Sequence, residues 1–402
     1  MTQTPKHSSY DIVIVGGAMM GSSTAWFLST MAGFQGRVLV VEMDSSYANS
    51  STAHSNSCMR QQFSNEINVR ISQFAADFVK NLRSYMGGDP RVPDLTIQNY
   101  GYLYLSDNDA LTATLRENQK VQLAAGAETE LLGRNEILER YPFYQLDDIQ
   151  LGSINRKDEG YWDGGTVFDW WRRGARDNGV EYISNKVVAM EVQGGRVQSV
   201  KLESGDVIAC GQVVNASGPR AALTAKMAGI SLPVEPRKRF TWIFNAQTPL
   251  DRDLPLTIDP SGIHMRQDGP TTYLAGAAPD AEDDLAVDPT DFAMDHARWE
   301  NHVWPIIATR IPQFEAIKVV TEWTGHYAYN TLDQNAVIGA HPEVTNFMFL
   351  NGFSGHGLQQ SPAMGRAMAE LLTYGEYRTL DMTPFAYERV LAGEKFIEKA
   401  VI

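Results

Sequence analysis

The residues best suited to chemistry stand near the start of the chain, in DIVIVGGAMMGSSTAWFL from Asp11 to Leu28. A β-branched run ends in glycines and gives way to a helix-like pattern, which is the arrangement of a dinucleotide-binding turn. In such a turn the first glycine makes the tight bend, the second lets backbone approach a pyrophosphate, and the third lets helix pack on strand. Gly16 and Gly21 hold the first and third places, and Ala18 stands at the second. Its methyl group is tolerated provided residue 18 has negative φ. The amides that follow, at Met19 and Met20, would open a helix, where an anion is favoured. Glu42 ends the next β-branched run and is the acid expected to hold ribose hydroxyls. The competing reading is a strand, turn and helix without a ligand, and Glu42 in that position favours the cofactor.

The fingerprint alone does not separate NAD from FAD. A flavin dinucleotide is long and needs backbone contacts from segments distant in sequence. This chain has two further glycine-rich strand ends, VVNASGPRA and NGFSGHGLQQ.

Positioning these residues takes a β-α-β unit: the strand YDIVIVGG, a helix from Met20 to Ala32 stopped at Gly33, and the strand GRVLVVEMD. The spacing predicts a strand over Gly101 to Ser106, a helix over Leu111 to Ala125, and a short helix in RNEILERYP. VFDWWRRGARDNGVEYISN reads as a helix ended at Gly179 and a strand, and three strands joined by glycine turns lead to VVNASG. Strand-like segments dominate from Pro233 to Ala277. An acidic stretch from Asp280 to Asp295 reads as a solvated loop, because its carboxylates lack calcium-loop spacing. After a helix around His296 to Arg310, the chain closes with a strand pair, a glycine loop and a helix. Ser361 is the expected cap of that helix, with Pro362 in its first turn and Gly375 at its end.

A chain of 402 residues exceeds what one core usually supports, so two domains, or one large discontinuous domain with an insertion, are expected. The net charge of -14 would repel nucleic acid and anionic membrane surfaces, which leaves small-molecule chemistry. Cys58 and Cys210 have no metal or redox spacing and fit a reducing compartment. The first ten residues lack the apolar core of a signal peptide, and no run is long enough to span a bilayer. A soluble, cytoplasmic protein is the expectation.

Taken together, VIVGGAMMGSS, VEMD with SSTAHSNSCMRQQFS, GRVQSV through VVNASGPRA, DQNAVIG and NGFSGHGLQQSPAMGRAMAEL resemble the FAD-dependent family of D-amino-acid oxidase, glycine oxidase and sarcosine oxidase. RQQFSNEINV and PVEPRKRF resemble the branch that holds the mitochondrial flavoprotein assisting complex I assembly and its bacterial relatives. The resemblance implies an α/β fold with a discontinuous Rossmann-like FAD-binding domain of the glutathione-reductase type, from residues 1–90, 150–232 and 320–402. Residues 91–149 and 233–319 would form a substrate domain with a mostly antiparallel sheet and flanking helices.

Carried over residue by residue, the resemblance implies that Gly16, Ala18, Met19, Met20 and Gly21 cradle the pyrophosphate and that Glu42, with Met43 beside it, binds the adenosine ribose. Ser51 and Thr52 would contact phosphate or ribityl, and Val187 would bind adenine through its backbone. Ala216 and Gly218 would line the dinucleotide, with Gly325 also on the cofactor side. Gly355, His356, Gly357, Leu358 and Gln359 would lie along the pyrimidine side of the flavin, where a helix N-terminus favours the charge of the reduced ring. FAD is expected to be non-covalent. His54 matches the histidine of the S-T-W-H motif at which dimethylglycine and sarcosine dehydrogenases attach FAD, but only half of that motif is present.

Flavin oxidation of an amine is hydride delivery from a carbon held beside N5, so the protein must mainly orient the substrate. Its carboxylate calls for an arginine. The D-amino-acid and glycine oxidases use one after a W-A-G-L motif, where WTGHYAYN has Tyr327. The sarcosine oxidases use one that matches Arg60, which becomes the expected anchor, with Gln359, His326 and Tyr327 lining the pocket. Arg237, Lys238, Arg239 and Arg266 read mostly as a solvated strand face. The lysine with which sarcosine oxidases activate oxygen falls near Tyr273, with no lysine close by, so oxygen or another acceptor takes the electrons. The expected reaction is oxidation of the C–N bond of an amino acid, an N-substituted one. The alternatives are a 2-hydroxy-acid dehydrogenase and a flavin-bearing assembly factor without turnover.

Overall fold

The computed structural model describes residues 2–399. Its first sheet is built on Ser9–Val15, which pairs in parallel with Val38–Glu42 on one side and Val207–Asn215 on the other. Glu181–Ser184 extends the sheet beyond Val38–Glu42, and Phe347–Asn351 extends it beyond Val207–Asn215, both in parallel. Such strands are apolar on both faces because both faces are covered. Ile12 and Ile14 point into one core and Val13 and Val15 into another, all at most 8% exposed.

The helix Met19–Thr30 is buried nearly all round, as its lack of a polar face requires. It packs against the helix Gly357–Tyr374, where Ser23 Oγ donates to the Ser361 carbonyl at 2.8 Å. The first of these helices ends at Thr30 with Met31 as its C-cap, short of the expected stop at Gly33.

The second sheet is antiparallel except where Leu256–Ile258 runs parallel to Tyr102–Ser106. Its longest pair, Val234–Ala246 with Ile317–Asn330, carries cavity residues on both strands. Trp242, Phe244, Tyr273 and Phe314 fill the core behind it. Leu151–Asn155 and Ile317–Asn330 both pair in this sheet, although residues 150–232 and 320–402 were expected in the cofactor unit.

Ser361 is not a cap. The last long helix begins at Gly357 with His356 as its N-cap, so Ser361 and Pro362 lie inside it. Proline has no N–H for the carbonyl four residues back. The Ser361 hydroxyl donates to that carbonyl, Leu358 O, at 2.7 Å and repairs the gap.

The acidic stretch is not simply solvated either. Residues 280–295 form a strap over Val234–Ala246: Asp284 takes Arg239 at 2.8 Å, Asp291 takes Lys238 at 2.7 Å, and Arg220 donates to the Pro289 carbonyl. Arg237, Lys238 and Arg239 are accordingly only 12–18% exposed, and Arg266 only 4%. The expectation of a solvated basic face fails because the strap supplies counter-ions to Arg237, Lys238 and Arg239, and Asp268 supplies one to Arg266.

Candidate active site

A single cavity of about 1080 Å³ runs between the two sheets. At one end stands the dinucleotide turn. Gly16 has φ of +98°, and a Cβ there would meet the Ala216 carbonyl oxygen at 2.5 Å. A Cβ on Gly21 would stand 1.9 Å from the Gly16 oxygen. Ala18 has φ of -70°, so its methyl group is unstrained and the departure from the glycine pattern is accommodated.

Glu42 leaves the end of its strand and accepts from the Gly17 amide at 2.8 Å and the Asp44 amide at 2.9 Å, one on each carboxylate oxygen. Burial raises its pKa, and the two amides oppose the rise. Each oxygen keeps a lone pair for a ribose hydroxyl. The Asn185 amide donates to the Glu42 carbonyl, which brings Val187 to the same end of the cavity.

Gly16, Ala18, Met19, Met20, Met43, Ser51, Thr52, His54 and Val187 all line the cavity. So do Ala216, Gly218 and Gly325, and the run from Gly355 to Gln359. Gly21 does not; it is the packing glycine behind the bend. Thr52 Oγ1 accepts from the Met19 amide at 3.2 Å, and Ser51 Oγ donates to the His326 carbonyl at 2.7 Å. The first-turn amides of Met19–Thr30 and of Gly357–Tyr374 have no carbonyl behind them and open towards the same space. An extended dinucleotide with one anionic middle and one electron-rich end fits this donor set.

At the other end Arg60 is 4% exposed. Its guanidinium donates to Tyr102 Oη at 3.3 Å and His356 Nε2 at 2.8 Å and lies 4.6 Å from the Phe63 ring centre. Burial works against its charge, but the hydroxyls of Tyr104 and Tyr102 and the Glu398 carboxylate keep its pKa above the ordinary value. Gln359 Oε1 accepts from the Arg60 amide at 2.8 Å, so its side chain braces Arg60. His326 turns its ring to the strap, bonding the Asp291 carbonyl at 2.8 Å and stacking on Phe292 at 4.4 Å. Tyr327 lies directly under Gly355, where a Cβ would come within 2.5 Å of its ring.

Sequence reasoning missed Asn56, Tyr102, Arg239, Thr241 and His264, all of which line this end. The alternation of Arg239 and Thr241 on one strand was the available signal. Arg239 stacks on Tyr327 at 4.6 Å. The Thr241 hydroxyl donates to Asn56 Oδ1 at 3.1 Å, which turns Asn56 Nδ2 towards His264 Nε2, also at 3.1 Å. His264 is thereby the acceptor and neutral, and its pKa is lowered to about 4 by burial first and then by Arg266, Arg239 and Arg60. Tyr273, the place matched to an oxygen-activating lysine, is a core residue between Phe244 and Phe314 and does not face the cavity. Among the described residues no helix is long and apolar enough to cross a membrane.

A dinucleotide cradle opening onto a pocket that holds Arg60 and Arg239 is the arrangement of a dinucleotide-dependent oxidoreductase, and the family match makes the dinucleotide a flavin. The chain belongs to the FAD dependent oxidoreductase family, whose model matches residues 11–371, and its cofactor is FAD. It is 34% identical to "FAD-dependent oxidoreductase domain-containing protein 1" of Xenopus laevis, over 98% of this chain and 85% of that one. It is 25% identical to "Sarcosine oxidase subunit beta" of Rhizobium meliloti, over 91% and 85%. Among solved structures it is similar to L-proline dehydrogenase from P. horikoshii, with a TM-score of 0.82 and 26% identity over 96% and 99% of the two chains.

Proposed function

We propose that the protein oxidises the C–N bond of an N-substituted amino acid, with Arg60 holding the carboxylate. FAD supplies the hydride acceptor; the chain supplies orientation and a field. The observation that carries the reading is the buried Arg60 on the cavity wall, braced by Gln359 from the loop that runs from Gly355 to Gln359. Burial first, and the positive field of the nearby arginines after it, keep His264 neutral; both act on a bound ammonium in the same direction and favour the free amine, the form that gives up hydride. The same field attracts the carboxylate, which a guanidinium grips with two parallel bonds. His54 and His326, whose pKa values are lowered by burial, add no competing charge. The relatives named for sarcosine and L-proline both carry the name of a secondary amino acid, which supports N-substitution.

Anaerobic mixing with sarcosine, L-proline and other N-alkyl amino acids is expected to bleach the yellow flavin. Bleaching by 2-hydroxy acids alone would move the protein to that class, and no bleaching by any of them would favour a role without turnover. Arg60→Ala is expected to raise KM roughly 10- to 100-fold with FAD retained, the scale of a lost charged hydrogen-bond pair. Loss of FAD instead would assign Arg60 to the cofactor.

A further inference from the structure

The segment that carries Arg60 reads RQQFSNEIN, and its polar residues converge on two carboxylates from elsewhere in the chain. The Gln61 amide donates to Glu159 Oε1 at 2.6 Å and Gln62 Nε2 donates to Glu159 Oε2 at 2.9 Å. The amide and hydroxyl of Ser64 both donate to Glu398 Oε1, at 2.8 and 2.7 Å. Asn65 Nδ2 and Asn68 Nδ2 donate to Glu398 Oε2, at 3.1 and 2.9 Å. Both glutamates are 0% exposed.

The side-chain amides have no freedom to turn. Ser153 Oγ donates to Gln62 Oε1 at 2.8 Å, which leaves Gln62 Nε2 facing Glu159 and the Tyr102 carbonyl. The Lys157 amide donates to Asn155 Oδ1 at 2.9 Å, which leaves Asn155 Nδ2 facing Glu159 at 3.0 Å. Glu159 therefore meets three donors from fixed groups. Burial raises its pKa, and the bonds from Gln62, Gln61 and Asn155, with the charge of Arg60, oppose that rise and favour the carboxylate that three donors require. A buried carboxylate is costly unless its bonds are made, and the bonds named here run to the one segment or to its support.

The other side of the segment is tied to the flavin loop. Gln359 accepts from the Arg60 amide, and Gln360 Nε2 donates to Asn68 Oδ1 at 3.2 Å. Tyr102, whose hydroxyl takes the Arg60 guanidinium, is itself held through Gln62.

We propose that Glu159 and Glu398 form a double clamp that sets Arg60 for the substrate carboxylate, which makes both of them positioning residues for amino-acid binding. The proposal rests on the reading of Arg60 given above. The clamp works by denying the arginine-bearing segment any other register. A guanidinium displaced by even an ångström loses its paired bonds to a carboxylate.

The test uses purified FAD-loaded protein and benzoate, a carboxylate without an amine, with dissociation constants read from the flavin absorbance change. Glu159→Gln and Glu398→Gln each place an N–H₂ against fixed donors. Each is expected to weaken benzoate at least tenfold (about 1.4 kcal/mol or more) while FAD per chain stays at the wild-type value. Phe314→Leu, in the core of the second sheet, gives a comparable loss of Tm without touching the segment, and its benzoate affinity is expected to be unchanged. If the glutamine variants bind benzoate as the wild type does, or no worse than Phe314→Leu, the clamp is refuted. Should they fail to fold, Ser64→Ala and Asn155→Ala each remove one bond to a clamp, and unchanged affinity in both refutes it equally. Arg60→Ala is measured in parallel. If it binds benzoate normally, the reading of Arg60 is what fails, whatever the glutamates do.

Discussion

Gly21 and Ala18 show how unequal two positions of one motif can be. At Gly21 an added methyl would meet a backbone oxygen at 1.9 Å, and neither the bend nor the helix can retreat. Gly21→Ala is expected to destabilise by about 1–3 kcal/mol or more and to give protein with little FAD, measured as flavin absorbance per chain. Ala18→Gly is expected to keep full FAD, because the residue there has negative φ and needs no glycine. Equal FAD in the two variants would overturn this division of labour. The same reasoning explains Glu42: its value lies in two backbone amides that leave both oxygens half occupied.

Helix packing decides how the two nucleotide-facing helix ends reach one cavity. Met19–Thr30 crosses Gly357–Tyr374 at Gly365, where a Cβ would stand 2.0 Å from Ser23 Oγ. A glycine inside a helix costs about 1 kcal/mol in propensity, so this one is there for the crossing. Gly365→Ala is expected to lower stability by roughly 1–3 kcal/mol in spite of its better propensity. Ser23→Gly in the same chain should recover part of the loss, and a thermal melt of the four variants reads the coupling. Simple additivity would show that the two helices do not meet there. The strap of residues 280–295 illustrates the opposite case, an irregular element held by ion pairs and carbonyl bonds in place of packing.

Across the whole molecule, the contact between the sheets carries a pH dependence. His264 belongs to the second sheet, and its Asn56 partner belongs to the loop after the dinucleotide unit. Its folded pKa of about 4 lies below the ordinary histidine value of about 6.5. A depressed folded value means that the unfolded chain binds the proton first as pH falls. The contribution is complete above about 6.5 and is lost as pH drops towards 4. Tm is therefore expected to fall from neutral pH to about pH 4.5, and to fall less steeply in His264→Gln. An identical slope in both proteins would remove His264 as the cause.

Local pattern made the dinucleotide unit legible, because the glycines, the β-branched runs and Glu42 lie within about thirty residues and each obeys a short-range rule. The family resemblance extended that reading to the loop from Gly355 to Gln359. Three features escaped the local rules, two of them because the partners stand far apart in the chain: 45 residues for Arg239 and Asp284, 208 for Asn56 and His264. Ser361 mends the helix at Pro362 and does not start it, the acidic strap neutralises Arg237 to Arg239, and His264 and Asn56 complete the pocket. RQQFSNEIN announced itself in the sequence only as a polar run; two buried glutamates, one near each end of that stretch, turned it into the mount for Arg60. The sequence by itself determined that the chain binds a dinucleotide, since backbone conformation near glycine is a local matter, and the resemblance of its distant glycine-rich segments to the family made that dinucleotide FAD. The tertiary structure decided which charges line the cavity, since burial and counter-ions exist only after the sheets have met.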